Sequence, residues 1–232
     1  MGYDGFTIGL ALEKLHIKEI ESTEEPELYK NLSQELFEKK EFLPSPAFQE
    51  DFNFGLEMYR IAADHSEEMR NNHLIRPFLW EVWKHHRRLF IWQEMKLNAD
   101  AKLDLVGKPD YFVTQKSRSP KAPYCIIIEA KKNDFEKGWG QALAAMKGAQ
   151  IINKRMAALE MAIYGIVSTG REWQFGKLLG NQFVISSEML FINIIDPATS
   201  EKVLRILAVL DVIFSECERM LDQETSDKAI PN

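Results

Sequence analysis

Cysteine is scarce: two among 232 residues, too few for a disulfide framework and without the paired spacing of a zinc site. Cys125 lies in an apolar run and Cys217 in a helical pattern, so both read as small core residues in a reducing compartment. Long hydrophobic runs are missing too. The longest, Val203 to Phe214, is broken by Arg205 and Asp211 and falls short of the ~20 residues that cross a bilayer. Met1 to Leu12 has no basic stretch leading into a long apolar one, which argues against a secretory leader and for a cytoplasmic protein with no membrane partner. Nor is there an excess of positive charge. With a formal charge of −6, any contact with nucleic acid has to come from a local patch.

What the chain does have is 45% hydrophobic and 28% charged residues, enough for one full-sized core and a single domain. Residues 1–64 read as a helical extension packed on that core, built of short amphipathic pieces. Thr7 to His16 and Asn31 to Lys40 are its helical segments, punctuated by Pro26, Pro44 and Pro46. Residues 65–232 read as the main body. Ser66 is an N-cap for a longer helix through Trp83, with Glu67 and Glu68 in the first turn where they suit the dipole, and Pro77 is expected to kink or divide it.

Strands are expected over Leu89–Leu97, Val106–Thr114 and Tyr124–Lys131, the last two joined by a polar, proline-containing loop. A helix over Phe135–Lys154 carries Phe135, Trp139, Leu143, Met146 and Ala149 on one stripe. Further strands follow at Ile163–Thr169, Glu172–Leu178 and Gln182–Ser186. The C-terminal segment Ser200–Leu221 is a strongly amphipathic helix; it is expected to pack on its own core, with a dimer seam as the alternative. The order of elements indicates an α/β fold, a mixed sheet flanked by helices.

Chemistry concentrates in the middle. Lys108-Pro109-Asp110 leads into one strand, and three isoleucines lead into Glu129-Ala130-Lys131 at the end of the next. The strand period of two sends Glu129 and Lys131 to one face and Ala130 to the other. Two carboxylates and an ammonium could then converge. Hydrolysis of a phosphodiester needs a hard divalent cation on oxygen ligands, a nucleophilic water, and stabilisation of negative charge. Asp110, Glu129 and the Ala130 carbonyl are candidate ligands for Mg²⁺ or Mn²⁺, Lys131 a candidate to orient or deprotonate the water, and Glu67 a candidate third carboxylate. Ordinary charges at a strand end are the competing explanation. Against it, charges closing so apolar a strand need a reason.

Pro109-Asp110 with Glu129-Ala130-Lys131 resembles the signature of the PD-(D/E)XK, or restriction-endonuclease-like, nuclease superfamily. Four ordered blocks extend the likeness: Gly107 to Tyr111, Ile128 to Lys132, Gly138 to Leu143, and Ser168 to Trp173. Together they resemble the N-terminal nuclease domain of type I restriction enzyme R subunits and related small bacterial proteins over about residues 66–180. The resemblance implies a restriction-endonuclease-like core, Asp110 and Glu129 as metal ligands, Lys131 as catalytic lysine, Glu67 (or Glu68) as the acid of the first helix, and Gln141 as a glutamine of the helix after the catalytic strand. Two departures stand out. Ala145 replaces the aromatic that often follows that glutamine by four residues, and no Gly-x-x-x-x-Gly-Lys-Ser/Thr loop of a motor is present.

Gln141 falls roughly 140° from the centre of the apolar stripe at ~100° per residue, so it is expected to avoid the core, facing either the site or solvent. Lys84-His85-His86-Arg87-Arg88 can grip phosphates, but a basic helix end suits the dipole equally. Trp139 and Trp173 read as core residues. The function expected is a metal-dependent nuclease acting on DNA, alone, as a homodimer or with a protein partner. The alternative is a noncatalytic nucleic-acid-binding or assembly module that keeps the fold.

Overall fold

The computed structural model describes residues 2–20, 32, 36–38, 41–61, 66–192 and 201–227. Its strands, in chain order, are β1 (Lys18–Glu19), β2 (Leu89–Gln93), β3 (Tyr111–Gln115), β4 (Tyr124–Ala130), β5 (Ile163–Ser168), β6 (Glu172–Leu179), β7 (Gln182–Ile185) and β8 (Leu190–Phe191). The helices used below are α1 (Ile8–Lys14), α2 (Pro46–Ile61), α3 (Glu67–Arg70), α4 (Arg76–Trp83), α5 (Phe135–Ala157) and α6 (Glu201–Asp227).

Every residue of β4 is buried, as its isoleucine run requires of a central strand. The sheet runs β1-β7-β6-β5-β4-β3-β2, with β8 added to β6. Strands β2, β3 and β4 form an antiparallel meander, and β4 lies parallel to β5. That parallel step needs a crossover, which the 23-residue α5 supplies.

Alternation along β4 then assigns its side chains to two apolar layers. Ile126, Ile128 and Ala130 join the cluster built from α2, α4 and α6, while Ile127 joins the one around α5. Glu129 and Lys131 share the α5 face with Ile127 by the same period. The C-terminal helix packs on the first cluster: Val203, Ile206, Leu207, Leu210, Ile213, Phe214 and Cys217 are fully buried. Its apolar stripe is covered by its own core rather than left as a dimer seam. Cys125 of β4 and Cys217 of α6 are free thiols that meet across this layer. Burial, and then the neighbouring Cys125 thiol, push the Cys217 thiol well above its ordinary pKa. Among the described residues no helix is long and apolar enough to cross a membrane.

The N-terminal region departs from its expected form. Pro46 opens a 16-residue helix, because a proline at the first helical position gives up an N–H that has no partner there anyway. Phe48, Phe52 and Leu56 of α2 are buried beside Phe78. Leu32 and Leu36 are buried in the same cluster, although most of the segment Asn31–Lys40, like Pro26 and Ser200, lies outside the described residues. Ser66 does cap α3, its Oγ accepting from the Met69 N–H at 3.1 Å. The helix it starts is interrupted by a π turn at Asn71–Ile75, just ahead of Pro77. Pro77 has no N–H to give to the carbonyl of His73, and α2 comes up against that carbonyl: a Cβ on Gly55 would lie 2.3 Å from the His73 oxygen.

Two strands are shorter than their alternation suggests. The first stops at Gln93 because Glu94 adopts a φ of 49°. The second begins only at Tyr111, because Gly107 at φ 149° and the turn that bridges Leu105 to Asp100 break the extended run before it.

Candidate active site

Asp110 immediately precedes β3, and Tyr111 pairs with Ile128, so the antiparallel register sets Asp110 opposite Glu129. Two bonds hold this aspartate. Its carbonyl accepts the Glu94 N–H at 2.9 Å, and its Oδ2 accepts the Ala130 N–H at 2.7 Å. Lys131 is fixed from the other side, donating its backbone N–H to the Ser168 carbonyl at 2.8 Å and so extending the β4–β5 ladder by one residue. The glutamate and lysine side chains are 6% and 10% exposed, which means that both groups enter the interior at the end of a central strand.

Four oxygens surround the Lys131 ammonium. The Ala130 carbonyl is 2.8 Å away, Glu129 Oε2 3.3 Å, Asp110 Oδ2 3.8 Å and Glu67 Oε1 3.8 Å. Glu67 reaches in from the first turn of α3 with nearly half its side chain exposed. Burial and then the adjacent Asp110 carboxylate raise the Glu129 carboxyl well above the usual range, against the pull of Lys131. Burial disfavours the charge on Lys131, yet Glu129, Asp110 and Glu67 together outweigh it and hold the ammonium above its ordinary pKa.

These donors suit a hard cation in kind, being carboxylates and one backbone carbonyl, and the ammonium stands as a monovalent cation in their midst. Among the described residues no three Asp, Glu, His or Cys side chains are grouped closely enough to hold a metal ion by themselves. The Ala130 carbonyl and solvent would have to complete a shell begun by Asp110 and Glu129, with Glu67 at its outer side.

Among the described residues no hydrogen bond or ion pair ties this centre to Gln141. Its side chain is buried, its Nε2 donates to Asp4 Oδ1 at 2.9 Å, and its Oε1 has no hydrogen-bond partner among the described residues. The solvent-facing alternative fails for a physical reason: α5 is covered twice, by the sheet on its apolar stripe and by the N-terminal segment on the opposite side. A Cβ on Gly140 would lie 2.4 Å from the Thr7 carbonyl carbon, so the two backbones touch there. Tyr3 belongs to the same cover. Its hydroxyl donates to the Leu97 carbonyl at 2.8 Å, and burial, then Tyr124 and Glu129, raise its pKa. The cover that Asp4 and Tyr3 form over α5 was not legible in advance; the hint was three glycines, Gly138, Gly140 and Gly148, in a helix that also holds five alanines, a sign of close approach.

Each residue of the basic run after α4 has a structural partner. Lys84 pairs with Glu81, His86 with Asp211 and Glu218, and Arg88 with Asp222. Arg87 lies over the Trp83 ring, and His85 meets Phe42 edge-on. Trp139 and Trp173 are core residues, 2% and 0% exposed. A cavity of about 410 Å³ lies at the other end of α5, but its polar groups are already paired: Lys147 with Asn181 at 2.7 Å, and Lys154 with Glu160 at 2.5 Å. The acidic centre around Lys131 is therefore the stronger candidate. No protein family matches the chain, and no curated protein is significantly similar to it.

Proposed function

We propose that the chain is a divalent-metal-dependent nuclease on a restriction-endonuclease-like core, hydrolysing phosphodiester bonds in DNA. One observation carries the reading: Asp110, Glu129, the Ala130 carbonyl and Glu67, drawn from three separate segments, all lie within 3.8 Å of the Lys131 ammonium. Such a group stabilises nothing that a well-packed apolar strand end would not stabilise as well, because burying charges costs about as much as their attraction returns. A chemical task accounts for it better.

Mg²⁺ or Mn²⁺ held by Asp110, Glu129, the Ala130 carbonyl and Glu67 would supply charge to polarise the phosphoryl oxygens and acidify a water. Asp110 is prepared for its part by the Ala130 N–H, which fixes the carboxylate's orientation. Glu129 is held on the same face by the strand period. Lys131 places a positive charge where the phosphorus oxygens gain negative charge, and its ammonium can orient the attacking water.

The test is a cleavage assay on linear, supercoiled, single-stranded and branched DNA with Mg²⁺ or Mn²⁺. Asp110→Ala and Lys131→Ala should each lose at least about 100-fold in rate, the lower end of what a positioned acid–base group contributes. Equal cleavage by all three proteins would mean a contaminating nuclease and would sink the assignment. Calorimetry supplies the second arm: divalent binding by the wild type should disappear in Asp110→Ala.

A further inference from the structure

Two of the three segments that supply the acidic centre, and β5, which holds the Lys131 N–H through Ser168, run on within a few residues into a second pocket. Glu67 is followed on α3 by Arg70, Lys131 by Asn133, and Ser168 by Thr169 and Arg171. With Tyr59 and Phe191, these residues line a cavity of about 170 Å³. Asn133 is two residues from Lys131, so the two sites are joined by at most ~7.6 Å of chain.

The pocket is built around two guanidinium groups. Arg70 lies over the Tyr59 ring, 5.3 Å from its centroid, and is tied down by an Nη1 bond to the Lys132 carbonyl at 3.0 Å. Arg171 lies 4.9 Å from the centroid of Phe191. In both arginines the Nε is buried and finds no hydrogen-bond partner among the described residues. The Arg171 side chain makes no hydrogen bond among the described residues and that of Arg70 only the one to Lys132, so the remaining Nη donors of both forks are left for an acceptor that arrives from outside. Glu172 also lines the pocket, which leaves the lining with one net positive charge and favours an anion.

Size narrows the class of anion. At ~30 Å³ per water, the cavity holds the equivalent of five or six waters, and ordinary small-molecule pockets start near ~300 Å³. A phosphate group fits; a whole nucleoside does not. Guanidinium groups recognise phosphate with two parallel N–H donors, and aromatic rings behind them hold the forks in place. We propose that Arg70 and Arg171 form a second phosphate site, which grips the nucleic-acid phosphate beside the one presented to Lys131. The proposal rests on the nuclease reading for the identity of the polymer.

The experiment is fluorescence anisotropy with a labelled single-stranded oligonucleotide in EDTA, where no cleavage occurs. It compares the wild type with Arg70→Gln, Arg171→Gln and the exposed control Lys154→Gln. Each arginine variant should weaken binding about tenfold, as expected for one charge-assisted contact, and flatten the slope of log K against log salt by ~0.7. The control should match the wild type. Arg70→Lys and Arg171→Lys guard against misfolding: they keep the charge and should recover the salt slope but only part of the affinity. Running the probe with a 5′-phosphate and with a 5′-hydroxyl separates an internal phosphate from a strand end. Binding that ignores both arginines, or no binding at all, overturns the proposal. A wild type that binds through both arginines but never cuts overturns the nuclease reading and leaves this site standing; cleavage that depends on Asp110 and Lys131 while affinity ignores the arginines does the reverse.

Discussion

His86 is the residue whose surroundings most directly predict a pH effect. Its Nε2 is 2.9 Å from Asp211 Oδ1 and its Nδ1 3.1 Å from Glu218 Oε2, both on α6. Burial opposes a charge on the ring, but the two carboxylates outweigh it and raise the pKa above the ordinary 6.5. The imidazolium is therefore favoured in the folded protein. Its stabilisation is fully present below the unfolded pKa and is lost as pH rises through the raised folded value. Chemical denaturation across pH 5.5 to 9 should show wild-type stability falling on the alkaline side, and His86→Gln should lose that fall. At acid pH the variant should be less stable by about 2 kcal/mol, the scale of a charge-assisted hydrogen bond in a largely buried position. Parallel curves for the two proteins would refute the pairing.

At the scale of elements, α5 and the ends of β4 and β5 form one unit, and Gly138 shows how closely they fit. A Cβ there would lie 2.7 Å from Val167 Cγ1 and 2.9 Å from Lys131 Cγ. Gly138→Ala should cost about 1–3 kcal/mol through overpacking, read as a drop of several degrees in Tm for a chain of this size. It should also reduce cleavage with the fold intact, because the clash falls on the lysine of the proposed centre. An unchanged Tm would show that helix and strand stand further apart.

Much of this unit was legible beforehand. The isoleucine run announced a central strand, and the period of two placed Glu129 and Lys131 together. The spacing from Asp110 to Glu129 suited a hairpin, which the antiparallel register of β3 and β4 displays. The solvent-facing alternative for Gln141 failed because helical periodicity describes one buried face, whereas α5 has two. Pro46 was taken for punctuation although it starts α2, and the two-residue strands β1 and β8 are too short to carry an alternation. Arg70 and Arg171 gave no signal, since nothing local says that residues 101 positions apart share a pocket.

For the molecule as a whole, the decisive layer is the one between α6 and the sheet. Leu210 is fully buried in it, and Leu210→Ala should cost about 2–5 kcal/mol in denaturant titrations. The same layer contains the thiols of Cys125 and Cys217. Neither sulfur is within reach of a reagent while α6 lies on β4, so the pair works as a clock on the opening of the core. Under native conditions a thiol-specific reagent should label both cysteines together, at its intrinsic rate scaled down by the opening equilibrium. Fast labelling of one thiol alone would mean that α6 does not pack as described. Read with and without Mg²⁺, the clock would also measure, on the far side of the sheet, how much a cation at the acidic centre tightens the entire fold.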